Sequence, residues 1–290
     1  MFYSIKELVE QADFDYQGNV AELMIATEYE LTGRERDEVL RLMGRNLEVM
    51  KASVLLGLDE SKSRSGLTGG DAAKLDHYIQ SGKALSDHTV LTAAKNAIAV
   101  NEYNAKMGLV CATPTAGSAG CLPAVLTSAI EKLELTEKQQ LDFLLTAGAF
   151  GLVIANNASI SGAEGGCQAE VGSAAAMSAA ALVLAAGGTP FQASQAICFI
   201  IKNMLGLICD PVAGLVEVPC VKRNAMGASY AFIAADMALA GIESKIPVDE
   251  VIDAMYQVGV SMPTAFRETA EGGLATTPTG RKLSKEIFGD

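Results

Sequence analysis

Six cysteines stand at positions 111, 121, 167, 198, 209 and 220, and their neighbourhoods sort them into sets. Cys167 closes the stretch GAEGGC, Cys209 opens CDPVAG, and Cys220 follows Val218-Pro219. Each has Gly, Pro, Asp or Glu beside it, the company of loops rather than helix interiors. Cys198 instead lies in the apolar run AICFI, where a thiol packs as a small hydrophobe. Cys111 and Cys121 flank TPTAGSAG, and packing near a site suits them better than ligation. Three thiolates from separated loops suit a soft metal or an iron–sulfur cluster. Three protein ligands rather than four leave a position open, which turns a structural centre into a catalytic one. Separations of 42 and 11 residues match no common zinc or ferredoxin pattern, so spacing alone leaves the metal unassigned.

Other metal and redox chemistries fall away. No CxxC pair exists, which removes zinc-ribbon and thioredoxin readings, and two histidines cannot build a His-rich site. A net charge of −12 argues against nucleic acid or an anionic membrane as partner. The opening Met1-Phe2-Tyr3-Ser4-Ile5-Lys6-Glu7 lacks the basic and apolar regions of an export signal, so a cytoplasmic, reducing setting without disulfides is expected.

The elements that must position these residues read as helices. Ser4-x-x-Glu7, Thr32-x-x-Glu35 and Thr136-x-x-Gln139 have capping-box spacing, and Pro123 and Pro190 suit first helical turns. The pattern predicts helices near 5–12, 33–56, 123–133, 137–155, 168–186, 190–205, 222–240 and 248–260, with almost no period-two alternation. The expected fold is all-α, one large domain over 1–290. Its parts are charged outer helices in 1–106, a site-bearing core in 107–240, and a C-terminal helix and tail in 241–290. Residues 107–130, 143–163 and 171–201 carry no charge. A membrane span is the rival reading of those runs, but Ala, Gly, Ser, Asn and Thr dominate them, so close-packed buried helices fit better.

Longer motifs carry a resemblance. GAEGGCQAEVG followed by CDPVAGLVEVPCVKRNA, together with SGLTGGDAAK and TPTAGSAGCLPAVL, resembles iron–sulfur-dependent L-serine dehydratases (L-serine ammonia-lyases). The likeness runs through nearly the whole chain, and its length suits the separate α chain of the two-subunit form. The resemblance implies a [4Fe–4S] cluster held by Cys167, Cys209 and Cys220, whose free iron binds L-serine on the way to aminoacrylate, then pyruvate and ammonia. It implies a β chain with a regulatory-type domain as partner. The single-chain relatives' C-terminal cysteine has no counterpart in Glu286-Ile287-Phe288-Gly289-Asp290.

For such a reaction, Ser65, Thr68, Thr115 and Ser118 are candidates to anchor the substrate, with backbone N–H groups of glycine-rich helix starts. Arg223 and Lys222 either bind the carboxylate or open a helix as a solvated pair. Glu164 either meets the substrate ammonium or holds its loop. No general base stands out: His77 and His88 lie in charged sequence and read as surface residues, which leaves a base from the β chain as the expectation. Two rivals remain. A pyridoxal-phosphate lyase needs an α/β fold and a Schiff-base lysine, for which only Lys62 offers itself. A non-catalytic Ala-rich helical scaffold or membrane protein would use the cysteines for packing alone.

Overall fold

The computed structural model describes residues 1–289, and among them there are thirteen α-helices and no strand. The first five are α1 (Ile5–Tyr16), α2 (Val20–Thr32), α3 (Arg36–Leu56), α4 (Asp71–Gln80) and α5 (His88–Ala105). The central group is α6 (Cys121–Leu133), α7 (Glu137–Asn157), the single turn α8 (Gly162–Gly165), α9 (Cys167–Ala185) and α10 (Pro190–Met204). Then come α11 (Cys220–Leu239), α12 (Val248–Ser261) and α13 (Pro278–Phe288). The expected all-α class is what the chain adopts, which leaves a pyridoxal-phosphate enzyme of α/β type without its scaffold.

Caps explain where several helices start. The Ser4 hydroxyl accepts from the Glu7 N–H at 3.1 Å. Thr136 and Gln139 form a complete capping box, as do Thr189 and Gln192, the latter with Pro190 at the first helical position. Thr32 is a correction. It ends α2 rather than starting α3, and its hydroxyl donates to the Glu28 carbonyl at 2.9 Å. Gly33 then turns the chain at φ +70°, and α3 begins after Glu35 without a side-chain cap.

α9 organises the core. Every residue from Cys167 to Val183 is buried, and α6, α7, α10, α11 and α12 pack around it. It is the one described helix long and apolar enough to cross a membrane, yet 94% of its apolar window is covered by the protein itself. Small residues let the neighbours come close. A methyl added at Gly227 of α11 would lie 2.9 Å from the Cys121 sulfur and 3.0 Å from Val171.

The expected outer layer in 1–106 holds only in part. α5 is an inner helix, buried at Thr92, Ala93 and continuously from Asn96 to Glu102, and it packs along α11 and α6. The helices α2, α4, α5 and α13 and the single turn α8 were not foreseen. Asn19 caps α2 through the Glu22 N–H at 3.1 Å, and Thr277 caps α13 through the Gly280 N–H at 3.1 Å. Those caps were legible, but the faces behind them mix charge with apolar residues and blur the period.

Gly57, just beyond α3, touches the α5 backbone, where an added methyl would overlap the Ala99 carbonyl. Gly57→Ala should therefore cost about 1–3 kcal/mol and lower the thermal midpoint by several degrees, read by calorimetry or circular dichroism.

Candidate active site

Three separate pieces of chain bring the sorted cysteines together. Cys167 is the first residue of α9, and Cys220 the first of α11. Cys209 sits between them on a short extended piece clamped by the C-terminal region. Its N–H donates to the Phe266 carbonyl at 2.8 Å, and its carbonyl accepts from the Glu268 N–H at 2.8 Å. The three are 1%, 2% and 4% exposed, and all six cysteines of the chain are free thiols. Cys198 is buried inside α10, as its apolar setting predicted.

The thiols are electrostatically linked. A hydrogen bond from Cys209 holds Cys167 below the ordinary thiol range despite its burial, and the Arg223 guanidinium adds to this. The first turn of a helix favours the same thiolate. Burial pushes the Cys220 thiol up, and the charges of Cys167 and Glu170 push it further. Burial thus favours the neutral thiol at Cys220, and a metal bound there would take it as a thiolate with release of its proton.

The three thiols are donors of the kind an iron–sulfur cluster takes. Among the described residues no three His, Cys, Asp or Glu side chains converge tightly enough to hold a single metal ion. A multinuclear cluster is wider and needs its thiolates further apart. Glycine leaves room beside them, since a methyl at Gly162 would stand 2.9 Å from the Cys209 sulfur. Three soft, buried sulfurs with a cation behind one of them suit iron–sulfur chemistry.

The remaining predicted residues are distributed unevenly. Thr115 and Ser118 lie together in the loop before α6, their hydroxyls 3.0 Å apart, and Thr115 donates to Glu170 at 2.5 Å. Ser65 donates to Glu217 at 2.8 Å, and Ser63 to the same carboxylate at 2.6 Å. Thr68 donates to Glu102 at 3.3 Å, and that carboxylate, 0% exposed, also accepts the N–H groups of Gly69 and Asp71 at 3.0 Å. The hydroxyls of Ser65 and Thr68 thus fasten their own loop. Arg223 is largely covered rather than one of a solvated pair. It pairs with Asp210 at 2.9 Å and donates to the Ile208 carbonyl at 2.8 Å, tying α11 to the Cys209 loop. Lys222 reaches Asp71 at 2.5 Å.

Glu164 points away from the sulfurs. It is exposed and accepts from Ser159 at 2.7 Å, so of its two expected roles the structure shows the loop-holding one. Both histidines are exposed. His88 lies 14 residues before Glu102 on α5, about 21 Å along the helix. Lys62 spends its ammonium on the Gly69 carbonyl at 2.7 Å.

Several residues of the site were not foreseen. Glu170 is three residues after Cys167 and Asn224 four after Cys220, so helical spacing puts each on the face of its cysteine. Asn224, 0% exposed, donates to the Gly117 and Cys220 carbonyls at 2.8 and 2.9 Å and accepts from the Gly120 N–H at 3.2 Å. Period alone could have found both. Glu217, Asp210 and Glu268 needed the tertiary structure.

Comparison with known proteins gives one consistent result. Residues 15–275 match the family described as serine dehydratase alpha chain. The chain is 61% identical over 289 residues to a protein of Bacillus subtilis (strain 168) named "Probable L-serine dehydratase, alpha chain", covering 100% of this chain and 96% of that one. It is 43% identical over 270 residues to the "L-serine dehydratase, alpha chain" of Peptoniphilus asaccharolyticus, covering 93% and 92%. A longer relative, the "L-serine dehydratase" of Streptomyces coelicolor, is 41% identical over 265 residues, 89% of this chain but 57% of its own length.

The tie between α4 and α11 has a pH signature. Hydrogen bonds from Lys222 and then Lys74 hold the Asp71 carboxyl down at about 2. A depressed carboxyl contributes stability above the ordinary value of about 3.9, and that contribution disappears as pH falls toward the folded value. Asp71→Asn should therefore flatten the loss of thermal midpoint between about pH 4 and pH 2 relative to the parent chain.

Proposed function

The chain belongs to the serine dehydratase alpha-chain family, and from that premise we propose that it is the catalytic chain of an iron–sulfur L-serine ammonia-lyase. The observation that carries this reading is the meeting of Cys167, Cys209 and Cys220, three buried thiols from three separate segments. They would hold a [4Fe–4S] cluster. Bound there, the cluster supplies a Lewis-acidic iron for the β-hydroxyl of L-serine, a poor leaving group without such help. Loss of that hydroxyl and the α-proton as water gives aminoacrylate, which takes up water to yield pyruvate and ammonia.

The chain's own residues prepare the site. Arg223 stabilises charge on Cys167 and, through Asp210 and the Ile208 carbonyl, holds the Cys209 loop in place. Gly162 leaves space beside the Cys209 sulfur, and Gly117 beside the Glu170 carboxyl group. Burial of the three thiols keeps water from competing for the centre.

A β chain completes the enzyme in this reading, as the names of the two-chain relatives imply. The outer face of α11 supports it: Met226, Tyr230 and Ile233 recur at helical spacing and are 52%, 41% and 52% exposed. That chain also brings the proton acceptor, since both histidines stand on the surface. A reducing cytoplasm is the setting that keeps six cysteines free.

Co-expression with the β chain under anaerobic conditions should give a brown complex with stoichiometric iron and sulfide that forms pyruvate from L-serine. Cys167→Ala, Cys209→Ala and Cys220→Ala should each lose cluster and turnover, while Cys198→Ala keeps both. Turnover surviving in any of the first three would refute the ligand assignment. The double variant His77→Ala/His88→Ala should retain full activity.

A further inference from the structure

We infer that Glu170 recognises the α-ammonium group of the amino-acid substrate, with Glu268 facing it from the rim of the site. This rests on the reading of the chain as an L-serine ammonia-lyase and names the part of that site which selects an amino acid.

Glu170 is 6% exposed and lies one helical turn beyond Cys167. Thr115 fixes its orientation through Oε1 at 2.5 Å. Among the described residues no protein donor reaches Oε2, and Oε2 is not one of the sealed, unpaired polar atoms of the interior. Oε2 is therefore not sealed from solvent. A carboxylate buried to this degree is normally paired with a cation. Here burial, and then the neighbouring Glu268 carboxylate, hold the Glu170 carboxyl above its ordinary range. No lysine or arginine pairs with Glu170 among the described residues, and a substrate can bring the missing cation.

Its shape is set by two glycines. A methyl at Gly117 would stand 2.5 Å from Glu170 Oε1, so the carboxylate is walled by backbone alone on that side. A methyl at Gly162 would stand 3.1 Å from Glu170 Oε2, 3.3 Å from Glu268 Oε2 and 2.9 Å from the Cys209 sulfur. Two carboxylate oxygens and one cluster-facing sulfur thus surround a single point. Glu268 is held there at some cost. Its φ of +64° is unfavourable for a non-glycine residue, and its N–H is tied to the Cys209 carbonyl at 2.8 Å.

An ammonium has three donors and suits two carboxylate oxygens with one donor to spare. In serine the ammonium and the β-hydroxyl sit on adjacent carbons, so docking the ammonium here brings the hydroxyl beside Cys209. The same carboxylates repel the substrate's carboxylate and so fix which end enters. Thr115 then acts as a positioning residue for Glu170 rather than as a substrate anchor.

The test uses the cluster-loaded complex with its β chain, L-serine as substrate and L-glycerate as probe. Glycerate keeps the carboxylate and β-hydroxyl but carries a hydroxyl in place of the ammonium. Glu170→Gln should raise the KM for L-serine about tenfold or more, leave the glycerate inhibition constant within about twofold, and leave the cluster's absorption spectrum unchanged. Glycerate should also perturb that spectrum at the same concentrations in parent and variant. Equal weakening of serine and glycerate, or an unchanged serine KM, overturns the assignment. Should Glu170→Gln fail to retain its cluster, the exposed Glu268→Gln decides, by a smaller serine-selective rise in KM or by none. A cluster-loaded parent complex inactive on L-serine would overturn the functional reading itself, and this assignment with it.

Discussion

α9 is buried along nearly its whole length, and that burial fixes what its neighbours can be. Five helices must reach its surface, so it is built from Ala, Gly and Ser, and the partners place glycine where backbones meet. An all-round buried helix can offer chemistry only at an end. Its first turn presents Cys167 and Glu170 on one face, at the positive end of the helix dipole. α11 repeats the arrangement with Cys220 and Asn224.

The loops around these helix starts are fastened by buried anions. Glu102 gathers Thr68, Gly69 and Asp71; Glu217 gathers Ser63 and Ser65; Asp210 meets Arg223 and the Leu274 N–H at 2.7 Å. Each carboxyl group is nearly inaccessible, and hydroxyl and backbone donors supply most of its hydrogen bonds. A chain of net charge −12 thus spends part of its acidity on internal ties. The site is consequently rigid on three sides, and the segments carrying the cysteines are held by contacts that involve no metal.

Glu164 and Glu170 show where sequence reasoning succeeded and where it stopped. Both stand within the same nine-residue stretch, GAEGGCQAE, and composition treats them alike. Glu164 falls on a single turn whose side chains face Ser159 and solvent, while Glu170 shares the inward face of α9 with Cys167. Three-residue spacing from Cys167 would have selected Glu170, provided the helix was known to begin at the cysteine. The hydroxyls of Ser65 and Thr68 meet partners that the sequence could not show. Their partners, Glu217 and Glu102, lie 152 and 34 residues away, and local sequence holds no trace of such pairings.

The sequence by itself determined the helical class, the caps at Ser4, Thr136 and Thr189, the small-residue character of the buried centre, and which three cysteines have loop-like neighbourhoods. Those features are local: a cap, a period or a neighbourhood of glycine and proline acts within a few residues. Only the tertiary structure decided that α5 lies inside, that Arg223 ties α11 to the Cys209 loop, and that Glu268 comes to Cys209 from the far end of the chain. These outcomes depend on which groups can share a small, water-poor volume, and that is settled when distant segments pack together.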